Sequence, residues 1–305
     1  MAETADLKQK PTEAKKSPAK TPKAGGKRPD LATISGFALA CLGIIGGLLL
    51  EKGSIQDVAQ ATAAMIVLGG TMGAVLVTTP MPVVWRAFKG LSAVFFEQTN
   101  AMSDTIETLI QFAAKARKNG IVSLETETGG ISDPFLRKAM NLAVDGTDLQ
   151  ELRKMMEVDI SLGEHDAEAE AKVWEAAGGY APTIGIIGAV MGLIQVMKHL
   201  EDIKEVGHGI AVAFVATLYG VASANLFFLP AATKLRARMH NATFMKDMVL
   251  EGVVGIVEGL NPTLIRMKLE AYNLHPRVAA KPKTAKPAVA AAKAGVPAEP
   301  ASART

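Results

Sequence analysis

The 305 residues carry 49% hydrophobic and only 5% aromatic side chains, one cysteine (Cys41) and a formal charge of +3. Residues 1–29 and 276–305 each carry +5, which leaves the interior from Asp30 to His275 at −7. A basic balance confined to two ends argues against a nucleic-acid-binding body, which needs a basic face on a folded element. A lone cysteine excludes an intrachain disulfide framework and a cysteine-rich metal site.

In chain order, residues 1–29 come first, rich in Lys, Ala and Pro with few large apolar residues, and are expected to be a disordered basic tail that either is attracted to anionic membrane lipid or only keeps the end solvated. Residues 31–50 then contain no charge over 20 positions, and 58–84 contain none over 27. The same holds for 179–197 and 209–233. About 20 apolar residues at 1.5 Å rise cross the hydrocarbon core of a bilayer, so these segments predict four transmembrane helices. Lys and Arg mark one side: the 1–29 tail, Arg86 and Lys89 after the second span, and Lys234, Arg236 and Arg238 after the fourth. The connections on the other side are short, Glu51–Asp57 and Lys198–His208. The positive-inside rule therefore places both termini and the long 85–178 segment in the cytoplasm, with the spans as two outward hairpins.

The 85–178 segment is predicted to be helical. Glu97–Lys118 has apolar residues at helical spacing, closed by Gly120 at the position where the chain turns out of the helix. Ser132-Asp133-Pro134 supplies a cap and a first-turn proline, Asp145-Gly146 ends that helix, and Thr147-x-x-Gln150 resembles a capping box for the next. That last helix is expected to continue through Trp174 into the third span. A helical segment over 234–275 and a second Lys/Ala/Pro-rich tail over 276–305 complete the chain. Nothing alternates with a period of two. The fold class predicted is an all-α integral membrane protein with four spans and a large helical cytoplasmic insertion between the second and third.

None of the four spans contains Asp, Glu, His, Lys or Arg. Ion and proton pathways depend on an intramembrane ionisable group, so either the protein is structural or sensory, or a partner's helix supplies the titrating carboxylate. Glycines four apart (Gly43 and Gly47, Gly69 and Gly73, Gly188 and Gly192) let helices approach closely, within one chain or between chains. Pro182 and Pro230, near the cytoplasmic ends of spans three and four, can free the carbonyls of Gly178 and Leu226. Together they line a hydrated constriction, or one starts a helix and the other bends one. The hydroxyls of Thr183 and Thr217 bond water or their own helices. Around Gly120, the cations Arg117 and Lys118 face the carboxylate Glu125 across a helix break, either as a docking pair for a charged partner or as solvated surface.

Three separated stretches resemble one family, the MotA-type subunit of the bacterial flagellar stator. They are Ala116-Arg117-Lys118-Asn119-Gly120-x-x-Ser123-Leu124-Glu125, then Ala181-Pro182-Thr183-x-Gly185-Ile186-Ile187-Gly188-Ala189-Val190-Met191-Gly192, and Ala216-Thr217-Leu218-Tyr219-Gly220 with Asn225-Leu226-Phe227-Phe228-Leu229-Pro230. The resemblance covers Asp30 to Leu274. It implies a pentameric ring of this chain around two copies of a MotB-type partner whose single span carries an aspartate, in the inner membrane. It further implies that Arg117 and Glu125 engage the rotor protein FliG and that Pro182, Pro230 and Thr217 lie on the ion path. At Ala189 sodium-type relatives carry threonine, so the resemblance implies protons rather than sodium. No enzymatic activity, metal or cofactor is expected. The other readings are a TolQ/ExbB-type energiser of another envelope system, a family with three spans, and a sodium-driven stator.

Overall fold

The structure, a computed structural model, describes residues 27–98 and 102–274. Both predicted tails lie outside the described residues except for Lys27–Pro29. Contrary to the expected disorder, these three residues form a strand paired antiparallel with Phe96–Gln98. The pairing also corrects the predicted start of the first cytoplasmic helix: Glu97 and Gln98 are extended in this ribbon, and the helix runs from Met102 to Asn119. Apart from that ribbon, the regular structure among the described residues is helical.

Four helices are long and apolar enough to cross a membrane: Leu31–Leu50, Ile55–Thr78, Leu149–Lys198 and Ile203–Val257. Asp30 caps the first, its carboxylate accepting from Thr33 N–H at 3.2 Å. No residue of that helix is buried within the chain. The second span ends earlier than the predicted 84. Pro80 has no N–H and forces Thr79 into an extended conformation (φ −131°, ψ 133°), and a new helix, Met81–Gly90, starts beyond it. This span is also interrupted after Ile55–Val58 and contains a π-helical turn at Met65–Gly69. The third span is the end of one 50-residue helix that passes through Trp174 and Pro182 without a break. The fourth contains a π-helical turn at Ser223–Phe228 just before Pro230, then continues as helix to Val257. A π-turn widens the ladder where proline cannot donate, so the helix continues past Pro230.

Among the described residues three apolar clusters form, the smallest joining Ala63 and Val67 to Val215 and Ala216 between the second and fourth spans. Beneath them Trp174, 2% exposed, packs among Val84, Ala87, Ala177, Phe228 and Ala231. Its indole N–H donates to Ala87 O at 3.3 Å, and its ring meets Phe88 edge-on at 5.0 Å and stacks on Phe228 at 6.1 Å. The largest cluster joins Met102–Asn119, Pro134–Val144, the start of the long helix and the far part of the fourth helix around Leu109, Leu124, Met140, Leu152, Met156, Met248 and Val253. Asp133 accepts from Phe135 N–H at 2.9 Å ahead of Pro134. The predicted capping box at Thr147 does not form. Asp148, one residue later, caps the long helix by accepting from Gln150 N–H at 3.0 Å, because its carboxylate already reaches the second N–H of the first turn.

Asp247 lies on the polar continuation of the fourth helix, beyond the charge-free 209–233. Burial, then Glu164, Glu157 and Glu251, push its carboxyl above the usual range. An acid raised in the folded state binds protons more readily there than when unfolded, so its effect on stability becomes less favourable as pH rises. Asp247→Asn is therefore expected to raise the melting temperature of the purified protein by about 1–2 °C at pH 7 and to leave it unchanged near pH 3; equal shifts at both pH values would contradict the assignment.

Candidate functional site

The charged turn is built by Gly120. The helix Met102–Asn119 ends there because Gly120 adopts φ +83°, which favours a residue without Cβ. Its N–H donates to Ala116 O at 2.8 Å, and its carbonyl accepts from Ser123 N–H at 3.2 Å and from Ser123 Oγ at 2.7 Å. A 3₁₀ turn, Ile121–Leu124, follows, and fully buried Leu124 anchors it in the largest cluster. An ion pair between Lys115 and Glu127 closes the hairpin. Arg117, Lys118 and Glu125 are exposed and have no ion-pair partner among the described residues. Among the described residues, three unneutralised charges thus stand around a rigid turn, with the two cations at the helix C-terminus, where the helix dipole favours them.

The second element is the contact between spans three and four, where glycines remove the side chains that would hold the backbones apart. A Cβ on Gly220 would lie 2.6 Å from Ala181 O, one on Gly185 2.9 Å from Ala216 O, and one on Gly192 2.8 Å from both Gly209 O and Ala213 N. Gly188 likewise faces Ala216. Of the predicted glycine pairs, Gly188 and Gly192 therefore serve this intrachain contact. Gly43, Gly47, Gly69 and Gly73 face open space within the chain.

Pro182 and Pro230 lie on the two helices that this contact joins. Gly178, whose carbonyl Pro182 leaves without its usual donor, packs on Leu229, next to Pro230: an added Cβ would meet the Leu229 side chain at 2.6 Å. Thr217 is half-buried in the same contact, its Cα 3.4 Å from the Cβ position of Gly185. Its hydroxyl donates to Ala213 O at 3.3 Å, and that of Thr183 to Tyr180 O at 2.8 Å, so both bond to their own helices. Ala189 is half-buried beside Gly188.

Sequence reasoning missed two polar fixings. Tyr219 Oη donates to Val58 O at 2.5 Å and accepts from Gln60 N–H at 3.4 Å, satisfying backbone groups exposed by the break in span two. Unsatisfied, such groups are costly in lipid; a tyrosine inside a charge-free span was the available signal. Four of the cations used for orientation are also paired: Arg86 with Asp166 and Glu170, Arg236 with Glu168 and Glu175, and Lys234 and Arg238 with Asp30. Two of these sets share one stretch of the long helix, which gathers Arg86 and Arg236 on one side of the spans.

Residues 34–120 match the Motility protein A N-terminal model and residues 127–248 match that of the MotA/TolQ/ExbB proton channel family. The Motility protein A of Helicobacter pylori is 35% identical over 243 residues, covering 80% of this chain and 95% of the relative. The chain belongs to the MotA/TolQ/ExbB proton channel family. Its fold is similar to the structure of C. jejuni MotAB, with a TM-score of 0.77 and 33% identity over 83% of this chain and all of that one. It is also similar to the flagellar MotAB stator complex from Bacillus subtilis, with a TM-score of 0.73 and 31% identity over 78% and 94% of the two chains. With its four apolar helices the chain is a multi-pass membrane protein, and the family it belongs to is not a known enzyme class.

Proposed function

We propose that this chain is the ring-forming stator subunit of a bacterial flagellar motor. It works in the inner membrane with both termini cytoplasmic, as a homopentamer around two copies of a MotB-type partner. The observation that carries the reading is the four charge-free spans whose third and fourth members meet through glycines beside Pro182 and Pro230. A conduction path needs a titrating group, and the partner's membrane aspartate supplies it. A proton entering from outside neutralises that aspartate and leaves past Pro182, Pro230 and Thr217. Alanine rather than threonine at 189 favours protons over sodium.

Each change in the aspartate's charge alters the fit between ring and partner, and the ring steps. A unit charge moving through 100 mV carries about 2.3 kcal/mol, so steps are small and numerous and the rotor contact must break easily. Exposed charge pairs, each about 0–1 kcal/mol, meet that demand, and the unpaired Arg117 and Glu125 are the contact for FliG. The basic tails keep the ends of the chain solvated, with attraction to anionic lipid as the second reading.

The test is swimming in a flagellated host that lacks its own stator subunit and receives this chain with its partner. Arg117→Glu combined with Glu125→Lys is expected to reduce the swimming rate at least tenfold at normal membrane levels. Undiminished swimming would contradict the rotor contact.

A further inference from the structure

The helix beyond Pro230 is held by a carboxylate 208 residues earlier in the chain. Asp30, with a side chain 10% exposed, receives Lys234 Nζ at 2.6 Å and the Arg238 guanidinium at 3.2 Å while it caps the first span through Thr33. Its own N–H donates to Phe95 O at 2.8 Å. Arg238 also donates to the carbonyls of Phe96 and Val94, so one guanidinium joins Asp30 to the segment it rests on. Hydrogen bonds from Lys234 and Thr33 hold the Asp30 carboxyl well below the usual carboxylate range, so the clamp stays charged.

On the side of the first span, the surroundings of the clamp are open. No residue of the first span is buried in the chain. Lys234 lies one turn after Pro230, which itself follows the π-turn Ser223–Phe228, the place where the hydrogen-bond ladder of the fourth helix is irregular. A cleft of about 320 Å³, lined by Gly36, Phe37, Phe95, Leu226, Phe227 and Pro230 among others, separates the first and fourth spans beside it. The fourth span therefore has an irregular segment, room next to it, and a fixed point immediately after it.

We propose that Asp30 is a positioning residue for torque generation. It fixes the helix after Pro230 against the start of the first span, so bending of the fourth span during a step is confined to 223–230 and is passed to the cytoplasmic body rather than lost in rotation of a free helix. This rests on the stator reading above.

The experiment follows single motors by an attached bead in the host described, as stator units join one at a time. Step height reports the torque of one unit, and step number reports how many assemble. Asp30→Asn is expected to lower step height at least twofold with membrane levels unchanged, and Asp30→Glu to restore more than half of the loss. Arg238→Gln, which removes one of the two cations, should lower step height in the same direction and add little to Asp30→Asn. Unchanged step height in Asp30→Asn, or a fall in step number alone, would overturn the inference. Absence of steps from the unaltered chain would overturn the stator reading instead.

Discussion

Gly220→Ala is expected to destabilise the membrane half of the protein by about 1–3 kcal/mol, and Gly220→Leu to prevent its accumulation altogether. The reason is geometric. An added Cβ would sit 2.6 Å from the carbonyl oxygen of Ala181 and 3.1 Å from Gly185 Cα. These are backbone atoms, so no side-chain rotation can relieve the clash and the two spans must separate. Separation then removes the close approach at Gly185, Gly188 and Gly192 together, because the same helix pair makes all of them. Lipid supplies no hydrophobic drive to bring the helices back. Membrane levels and thermal unfolding of the purified protein check this, with Gly207→Ala as the comparison, since nothing lies within 4 Å of a Cβ there. Equal stability of the two alanine variants would show that the contact tolerates a methyl group and that its glycines are incidental.

Trp174→Ala should cost about 3–5 kcal/mol, the usual range for removing a buried aromatic side chain. The indole is 2% exposed and touches three segments far apart in sequence: Met81–Gly90 through Ala87 and Phe88, its own long helix, and the π-turn of the fourth through Phe227 and Phe228. Its loss leaves a cavity beneath the spans and frees the Ala87 carbonyl. Trp174→Phe retains most of the packing and should recover more than half of the loss. A melting temperature for Trp174→Ala within 1 °C of the parent would contradict the role given to this cluster.

Most of the architecture follows from charge placement. Four charge-free runs fix the spans, and the fixed period of apolar residues fixes the helices between them. The predicted end of the second span lies too late because Pro80 is itself uncharged: the hydropathy run passes it unchanged, whereas the helix stops at Thr78 with Thr79 extended. The Phe96–Gln98 strand was hidden because three residues carry no periodicity, and its partner lies in a Lys-rich segment that composition assigns to a tail. Among the proposed site residues, the exposure of Arg117 and Glu125 and the placement of Pro182 and Pro230 within helices were legible from residue type and spacing. The use of Gly188 and Gly192 within the chain was not, since the same spacing serves contacts between chains equally well. Asp30 was legible only as the last charge before a span. Its two cationic partners come from the far end of the molecule, and no local pattern announces a contact across 208 residues.

In the proposed function, protons passing between this chain and its partner drive rotation. The direct measurement is the speed of bead-labelled motors, powered only by this chain and its single-span partner, in potassium medium free of sodium while the proton-motive force is lowered stepwise with a protonophore. Speed should be the same as in sodium medium, fall in proportion to the proton-motive force, and reach zero with it. Rotation that requires sodium, or that persists after the proton gradient has collapsed, would contradict the account.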